Sequence, residues 1–211
     1  MTKELQEVKK SLRKLKKKPV AKLKRNGAIK IHLAQAKANP KDILLYDGSG
    51  SMHGEKMDMG KEACLHLMSR RPSLRTFIFS STVNEVTIED VSYAQAQGST
   101  HMLEALQRAY RTSPDKIVLA TDGEPTDSSK SEILRYAAEQ EIPICTLGIG
   151  TGDYDFDEEF LQELARVTGG TYDKVGDNIE ALLQLELKIE NLLEYKPGGK
   201  APSPGGGVIE L

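Results

Sequence analysis

The sequence predicts an α/β protein, a mostly parallel sheet with helices packed on both faces. Three observations lead there. Short apolar runs alternate with helix-like stretches of about 10–15 residues, a rhythm that belongs to parallel sheets covered on both sides. The chain has 211 residues, 38% of them hydrophobic, which suits one ordinary domain with a single sizeable core and short extensions. Its longest apolar runs, such as Ile43–Tyr46 and Ile117–Ala120, fall far short of the ~20 residues that a membrane-spanning helix needs.

Residues 1–25 read as a basic amphipathic arm. Leu5, Val8, Leu12 and Leu15 keep a heptad-like spacing until Pro19 stops the helix. In residues 26–40, Asn26-Gly27 is a turn, Ile29, Ile31 and Leu33 alternate as a short extra strand would, and Asn39-Pro40 closes the piece. The domain proper is expected over 41–195. It begins with strand Ile43–Tyr46, a Gly/Ser loop and a helix over 55–69. Strand Thr76–Ser80 follows, with Val83–Ile88 as its hairpin partner, then a loop and a helix over 102–111. Strand Lys116–Ala120, a polar loop and a helix over 129–140 come next. Strand Ile142–Ile149, a helix over 157–167 ended by Gly169-Gly170, strand Thr171–Val175 and a Leu-rich helix over 178–195 complete it. Residues 196–211 form a Gly/Pro-rich tail that ends in Val208-Ile209-Glu210-Leu211 and reads as a flexible linker.

The overall charge of −2 hides a segregation. Residues 1–25 carry eleven Lys or Arg against Glu4 and Glu7, a local charge of +9 that leaves −11 on the remainder. Such an arm usually docks on something acidic, and Glu186, Glu190 and Glu194 on the last helix offer one surface within the chain. The N-terminus is basic, but no apolar segment follows Lys16-Lys17-Lys18, so a cytoplasmic location is expected. Cys64 and Cys145 fit no metal spacing and read as two reduced core thiols.

Three short segments fall just past strand ends or at helix starts: Asp47-Gly48-Ser49-Gly50-Ser51, Gly98-Ser99-Thr100 and Thr121-Asp122-Gly123. In open α/β sheets, ligands sit in the crevice outside the carboxyl ends of the strands, where strand order reverses. If the first and third of the strands leading to these loops are neighbours, Asp47 and Asp122 share that crevice with three hydroxyls. Two carboxylates and three hydroxyls form an all-oxygen set suited to a hard dication such as Mg²⁺, which takes six oxygens. Five side chains leave at least one position open.

The ordered set Asp47-x-Ser49-x-Ser51, Thr100 and Asp122-Gly123 resembles the metal-ion-dependent adhesion site of von Willebrand factor A domains. The resemblance covers about residues 41–195, and segments 119–126 and 147–150 are similar to bacterial members of that family. It implies a three-layer, doubly wound fold around a mostly parallel six-stranded sheet, of order 3-2-1-4-5-6, with one antiparallel edge strand. It also implies that a carboxylate from a binding partner fills the open metal position. Intracellular relatives often serve as adaptors, including alongside AAA+ ATPases. Gly48 departs from the family pattern, where Thr, Val or Asn is more usual.

The expected function is therefore a divalent-metal-dependent protein-interaction module, not an enzyme. Asp47, Ser49, Ser51, Thr100 and Asp122 would hold Mg²⁺, with Mn²⁺ or Ca²⁺ as alternatives. His53, His101 and Glu124 flank the loops as candidate partner contacts, and Val208, Ile209 and Leu211 are a candidate docking segment on the tail. Two other readings stand beside it. One is a metal-dependent phosphoester hydrolase, which would need a base and a phosphate clamp near the loops. The other is a nucleic-acid or membrane tether through residues 1–25, although that arm has no aromatic residue to stack on bases. Asp153, Asp155 and Asp157 have the spacing of half an EF-hand, but Glu158 stands where its glycine belongs, and Asp157 reads instead as a helix cap.

Overall fold

In the computed structural model, six strands form one sheet of order β3-β2-β1-β4-β5-β6. The described residues are 41–150, 157–176, 181 and 184–196. Expectations for residues 1–40, Asp153, Asp155, Leu182, Leu183 and the tail with Val208, Ile209 and Leu211 lie outside them. The strands are β1 (Asp42–Asp47), β2 (Arg75–Phe79), β3 (Val83–Val86), β4 (Lys116–Thr121), β5 (Ile144–Ile149) and β6 (Tyr172–Val175). The helices are α1 (Glu55–Arg70), α2 (Ile88–Tyr93), α3 (Met102–Tyr110), α4 (Lys130–Ala138), α5 (Glu158–Thr168) and α6 (Leu185–Glu194). All neighbouring strands run parallel except β3, which pairs antiparallel with β2 at the edge. The expected strand order and hairpin are both present.

All six residues of β1, β4 and β5 are buried, as central strands covered on both faces require. Successive side chains point to opposite faces, and this alternation divides the core in two. Leu44, Tyr46, Val118, Ala120, Cys145 and Leu147 pack toward α1, α2 and α6. Ile43, Leu45, Ile117, Leu119 and Ile144 pack toward α3, α4 and α5. Each fully buried aliphatic side chain contributes about 1.5–3 kcal/mol of transfer free energy. Cys64 and Cys145 are free and buried, as expected, and burial pushes the Cys64 thiol up to about 12.

Helix ends follow local chemistry. Ser129 caps α4 by accepting from the Glu132 N–H, and Asp157 caps α5 by accepting from the Phe160 N–H. Gly169 ends α5 in the left-handed conformation at φ 74°, which a residue with a Cβ enters at a cost. Strand β5 begins at Ile144 rather than Ile142, because Pro143 has no N–H to give a ladder. Helix α2 was not expected. Its six residues bury only Val91 and are too few to show a period, but Thr87 and Asp90 form a reciprocal capping box.

The acidic edge of α6 pairs with α1. Glu186 accepts from Arg70 at 2.7 Å and lies 2.9 Å from His66 Nδ1, Glu190 accepts from Arg70 at 2.8 Å, and Glu194 accepts from Arg71 at 3.2 Å. Leu185, Ile189, Leu192 and Leu193 of the same helix are already in the core. Helix α1 meets both needs of α6, apolar and ionic, because the fold places it alongside.

Candidate metal centre

Strands β1 and β4 lie side by side, with Tyr46 paired to Ala120. The connection order reverses between them, so the crevice at their carboxyl ends is the ligand position of a doubly wound sheet. Asp47 is the last residue of β1, and Asp122 directly follows β4. The two chain segments that sequence reasoning linked conditionally are therefore neighbours.

The loop after β1 is held by its backbone. The Gly48 N–H donates to Phe79 C=O at 2.7 Å, the Gln97 N–H to Gly48 C=O at 2.8 Å and the Gly50 N–H to Gly98 C=O at 3.0 Å. These bonds bring the first two motif loops together. A Cβ on Gly48 would lie 2.7 Å from Ile78 Cγ2, so the neighbouring strand's side chain occupies the space that a larger residue would use. That accounts for the departure at Gly48.

The oxygens converge. The Ser49 N–H donates to Asp47 Oδ1 at 2.8 Å, Ser49 Oγ lies 3.0 Å from Ser51 Oγ, and the Ser51 hydroxyl donates to Asp122 Oδ1 at 2.6 Å. A Cβ built on Gly123 would sit 3.0 Å from Thr100 Oγ1, 3.6 Å from Asp47 Oδ2 and 3.6 Å from Ser51 Oγ. One point at the rim of Gly123, in the third motif loop, is thus ringed by oxygens from the other two. The Asp47 side-chain position is fully buried, with Ser49, Thr100 and Asp122 nearly so, while Ser51 opens to solvent. Among the described residues no three His, Cys, Asp or Glu side chains gather as a metal cage, so a cation here depends on hydroxyls as well as on the two carboxylates.

Burial raises the Asp47 carboxyl to about 6, against the opposing hydrogen bonds from the Thr121 hydroxyl and Ser49, and the Asp122 carboxylate adds to the rise. Two carboxylates in one desolvated crevice make a cation there electrostatically welcome.

Four residues outside the expected ligand set shape the site. The Thr121 hydroxyl donates to Asp47 Oδ2. The Lys56 ammonium lies 2.6 Å from Asp122 Oδ2. The Thr100 N–H donates to Thr126 Oγ1, and Asp127 accepts from the Leu103 and Glu104 N–H groups at the start of α3. The spacing Thr126-Asp127 ahead of a helix start gave no signal, because the helix it caps lies earlier in the chain. Among the described residues, the candidate rim residues make no hydrogen bond to the oxygen cluster and are either exposed or paired elsewhere. His53 is exposed beside the short 3₁₀ turn Gly50–Met52, His101 Nδ1 faces Glu104 at 3.6 Å, and Glu124 is paired with Lys130 at 2.8 Å.

A doubly wound sheet with an oxygen-lined crevice at its switch point defines the class of protein. Residues 78–174 match the family model of the von Willebrand factor type A domain. Among curated relatives, the chain is 29% identical to pig inter-alpha-trypsin inhibitor heavy chain H4 over 183 residues, covering 71% of this chain and 20% of that protein. It is 34% identical to human von Willebrand factor A domain-containing protein 3A over 86 residues, covering 39% of this chain and 7% of that protein. The chain spans about a fifth of the length of the heavy-chain relatives. Among solved structures, BatB from Bacteroides thetaiotaomicron superposes with a TM-score of 0.53 at 20% identity, covering 73% of this chain and 98% of that one. The SpRpn10 VWA domain superposes at 0.52 and 12% identity, covering 76% and 97%. At those identities the likeness shows the fold. Residues 78–174 are thus similar to a von Willebrand factor type A domain, and the sheet topology agrees with that fold.

Proposed function

We propose that this domain is a divalent-cation-dependent protein-interaction module, an adaptor whose partner supplies an Asp or Glu carboxylate. Domains of the von Willebrand factor A type generally mediate protein–protein interactions. The observation that carries the cation dependence is the ring of Thr100 Oγ1, Asp47 Oδ2 and Ser51 Oγ about Gly123, joined to Asp122 through Ser51. Asp47, Ser49, Ser51, Thr100 and Asp122 would hold Mg²⁺, or Mn²⁺ in its place, and Ca²⁺ less readily because it takes more oxygens. When bound, the ion supplies a Lewis-acidic position for a partner carboxylate. The Thr100 hydroxyl makes no hydrogen bond among the described residues, which leaves its lone pairs for that purpose.

The chain's own residues supply rigidity. Thr121 and the Ser49 N–H hold the Asp47 carboxylate from two sides, and Ser51 and Lys56 hold that of Asp122. Every carboxylate oxygen in the crevice is fixed by a neighbour, an arrangement that holds charge still rather than moving a proton, and it favours binding over hydrolysis. Partners associated with AAA+ ATPases are one class the resemblance implies.

Thermal melts of the full chain in EDTA, Mg²⁺ and Mn²⁺ test the reading. Wild type is expected to melt higher with either ion, and Asp47→Ala and Asp122→Ala to melt alike in all three. Wild-type melts that ignore both ions overturn it. Capture of a native partner in Mg²⁺ but not in EDTA tests the adaptor role.

A further inference from the structure

Lys56 is the second residue of α1, at the positive end of the helix dipole, where acidic residues are favoured and a lysine is not. Its position is nevertheless built. The Lys56 C=O accepts from the Tyr46 hydroxyl at 2.9 Å, and Tyr46 directly precedes Asp47 on β1. The Tyr46 ring in turn fills the space over Gly60, where a Cβ would come within 2.1 Å of it. From that anchored backbone the side chain, 17% exposed, delivers its ammonium to within 2.6 Å of Asp122 Oδ2, on a side chain with no exposure. The other Asp122 oxygen accepts the Ser51 hydroxyl. The two oxygens of Asp122 are therefore divided between a candidate metal ligand and a resident cation.

Resting on the metal reading above, we infer that Lys56 is a built-in counter-cation that competes with the divalent ion for Asp122 and makes the loaded site net positive. The arithmetic is short. Asp47 and Asp122 contribute two negative charges, so a dication alone would bring the crevice to neutrality. With Lys56 retained beside Asp122, the loaded crevice carries one positive charge. Lys56 thereby weakens the ion's hold and strengthens the pull on an anionic partner group, both through short-range Coulomb interaction in a partly desolvated crevice. It determines specificity for an anionic partner without itself serving as a ligand. Sequence pattern hides this role, because a lysine early in an amphipathic helix reads as a solvated charge.

The test is calorimetric titration of Mg²⁺ into the full chain, comparing wild type with Lys56→Met, Lys56→Gln and Lys56→Arg. The two neutral variants are expected to bind Mg²⁺ about tenfold more tightly or better, and the arginine variant to stay near wild type. Their melts in EDTA should fall, because Asp122 loses its partner, and Mg²⁺ should raise those melts by more than it raises wild type. At saturating Mg²⁺, fluoroacetate followed by ¹⁹F NMR should bind wild type more tightly than either neutral variant. In wild type alone, the Lys56 ¹⁵Nζ resonance should shift as Mg²⁺ is added, so the inference is testable even if the variants fold poorly. Unchanged or weaker Mg²⁺ binding in the neutral variants, or a resonance that ignores the ion while wild type binds it, overturns the role of Lys56 and leaves the metal site standing. Wild type and variants that all ignore Mg²⁺ and Mn²⁺ overturn both.

Discussion

Thr100 and Thr126 are tied by two hydrogen bonds: the Thr100 N–H donates to Thr126 Oγ1 at 3.0 Å, and the Thr126 N–H donates to Thr100 C=O at 2.9 Å. The pair joins the loop before α3 to the loop after β4, and so sets where the Thr100 hydroxyl stands relative to Asp122. Thr126→Val keeps the shape and removes the acceptor. It is expected to cost about 0.5–1.5 kcal/mol of stability and to weaken Mg²⁺ binding several-fold. Urea unfolding and Mg²⁺ titration read the two effects separately, and an unaltered Mg²⁺ affinity would show that Thr100 needs no such brace.

Gly123 is where the oxygens converge, and its backbone is not in the left-handed region. Gly123→Ala should therefore fold but place a methyl group among Thr100 Oγ1, Asp47 Oδ2 and Ser51 Oγ. The expected result is a melt close to wild type in EDTA with the Mg²⁺-induced rise lost. A full Mg²⁺ response in this variant would move the cation elsewhere.

Gly60 faces the Tyr46 ring across the β1–α1 contact, within 2.1 Å of a would-be Cβ. Both neighbours are locked in a buried layer, so Gly60→Ala overpacks it and is expected to destabilise by about 1–3 kcal/mol, the usual range for such insertions. Denaturant midpoints measure it. A neutral or stabilising result would mean that α1 can slide away from β1.

Asp157 caps α5 and also accepts from Lys130, and the Lys130 hydrogen bond holds its carboxyl below the usual aspartate range. A depressed folded-state pKa gives stability that is present above the unfolded value, about 3.9, and lost as pH falls through the folded value. Both side chains are partly exposed, so the contribution is no more than about 1 kcal/mol. Asp157→Asn keeps a cap acceptor and removes the ionisation. It should be less stable than wild type near neutral pH and converge with it in strong acid, as read by urea midpoints across the series. A gap that stays constant with pH would assign the effect to capping alone.

The alternation of apolar runs such as Ile43–Tyr46 and Ile142–Ile149 with amphipathic helices was legible along the chain, because strand and helix periods are local properties. The motif residues Asp47, Ser49, Ser51, Thr100 and Asp122 were legible for a related reason: strand-end loops carry them at short spacings, and the resemblance ordered them. Four features required the folded chain. Helix α2 rests on Val91 and a cap rather than on a period. The acidic edge of α6 finds Arg70 and Arg71 only because α1 is its neighbour in space. The ammonium of Lys56 reaches Asp122 across 66 residues, and Thr126 reaches Thr100 across 26. By itself the sequence determined which segments become strands and helices, α2 apart, and which loops carry the oxygen-bearing side chains. The tertiary structure decided which charges meet, because an ion pair or a hydrogen bond between distant residues depends on the packing of the elements that carry them, and no local period records that packing.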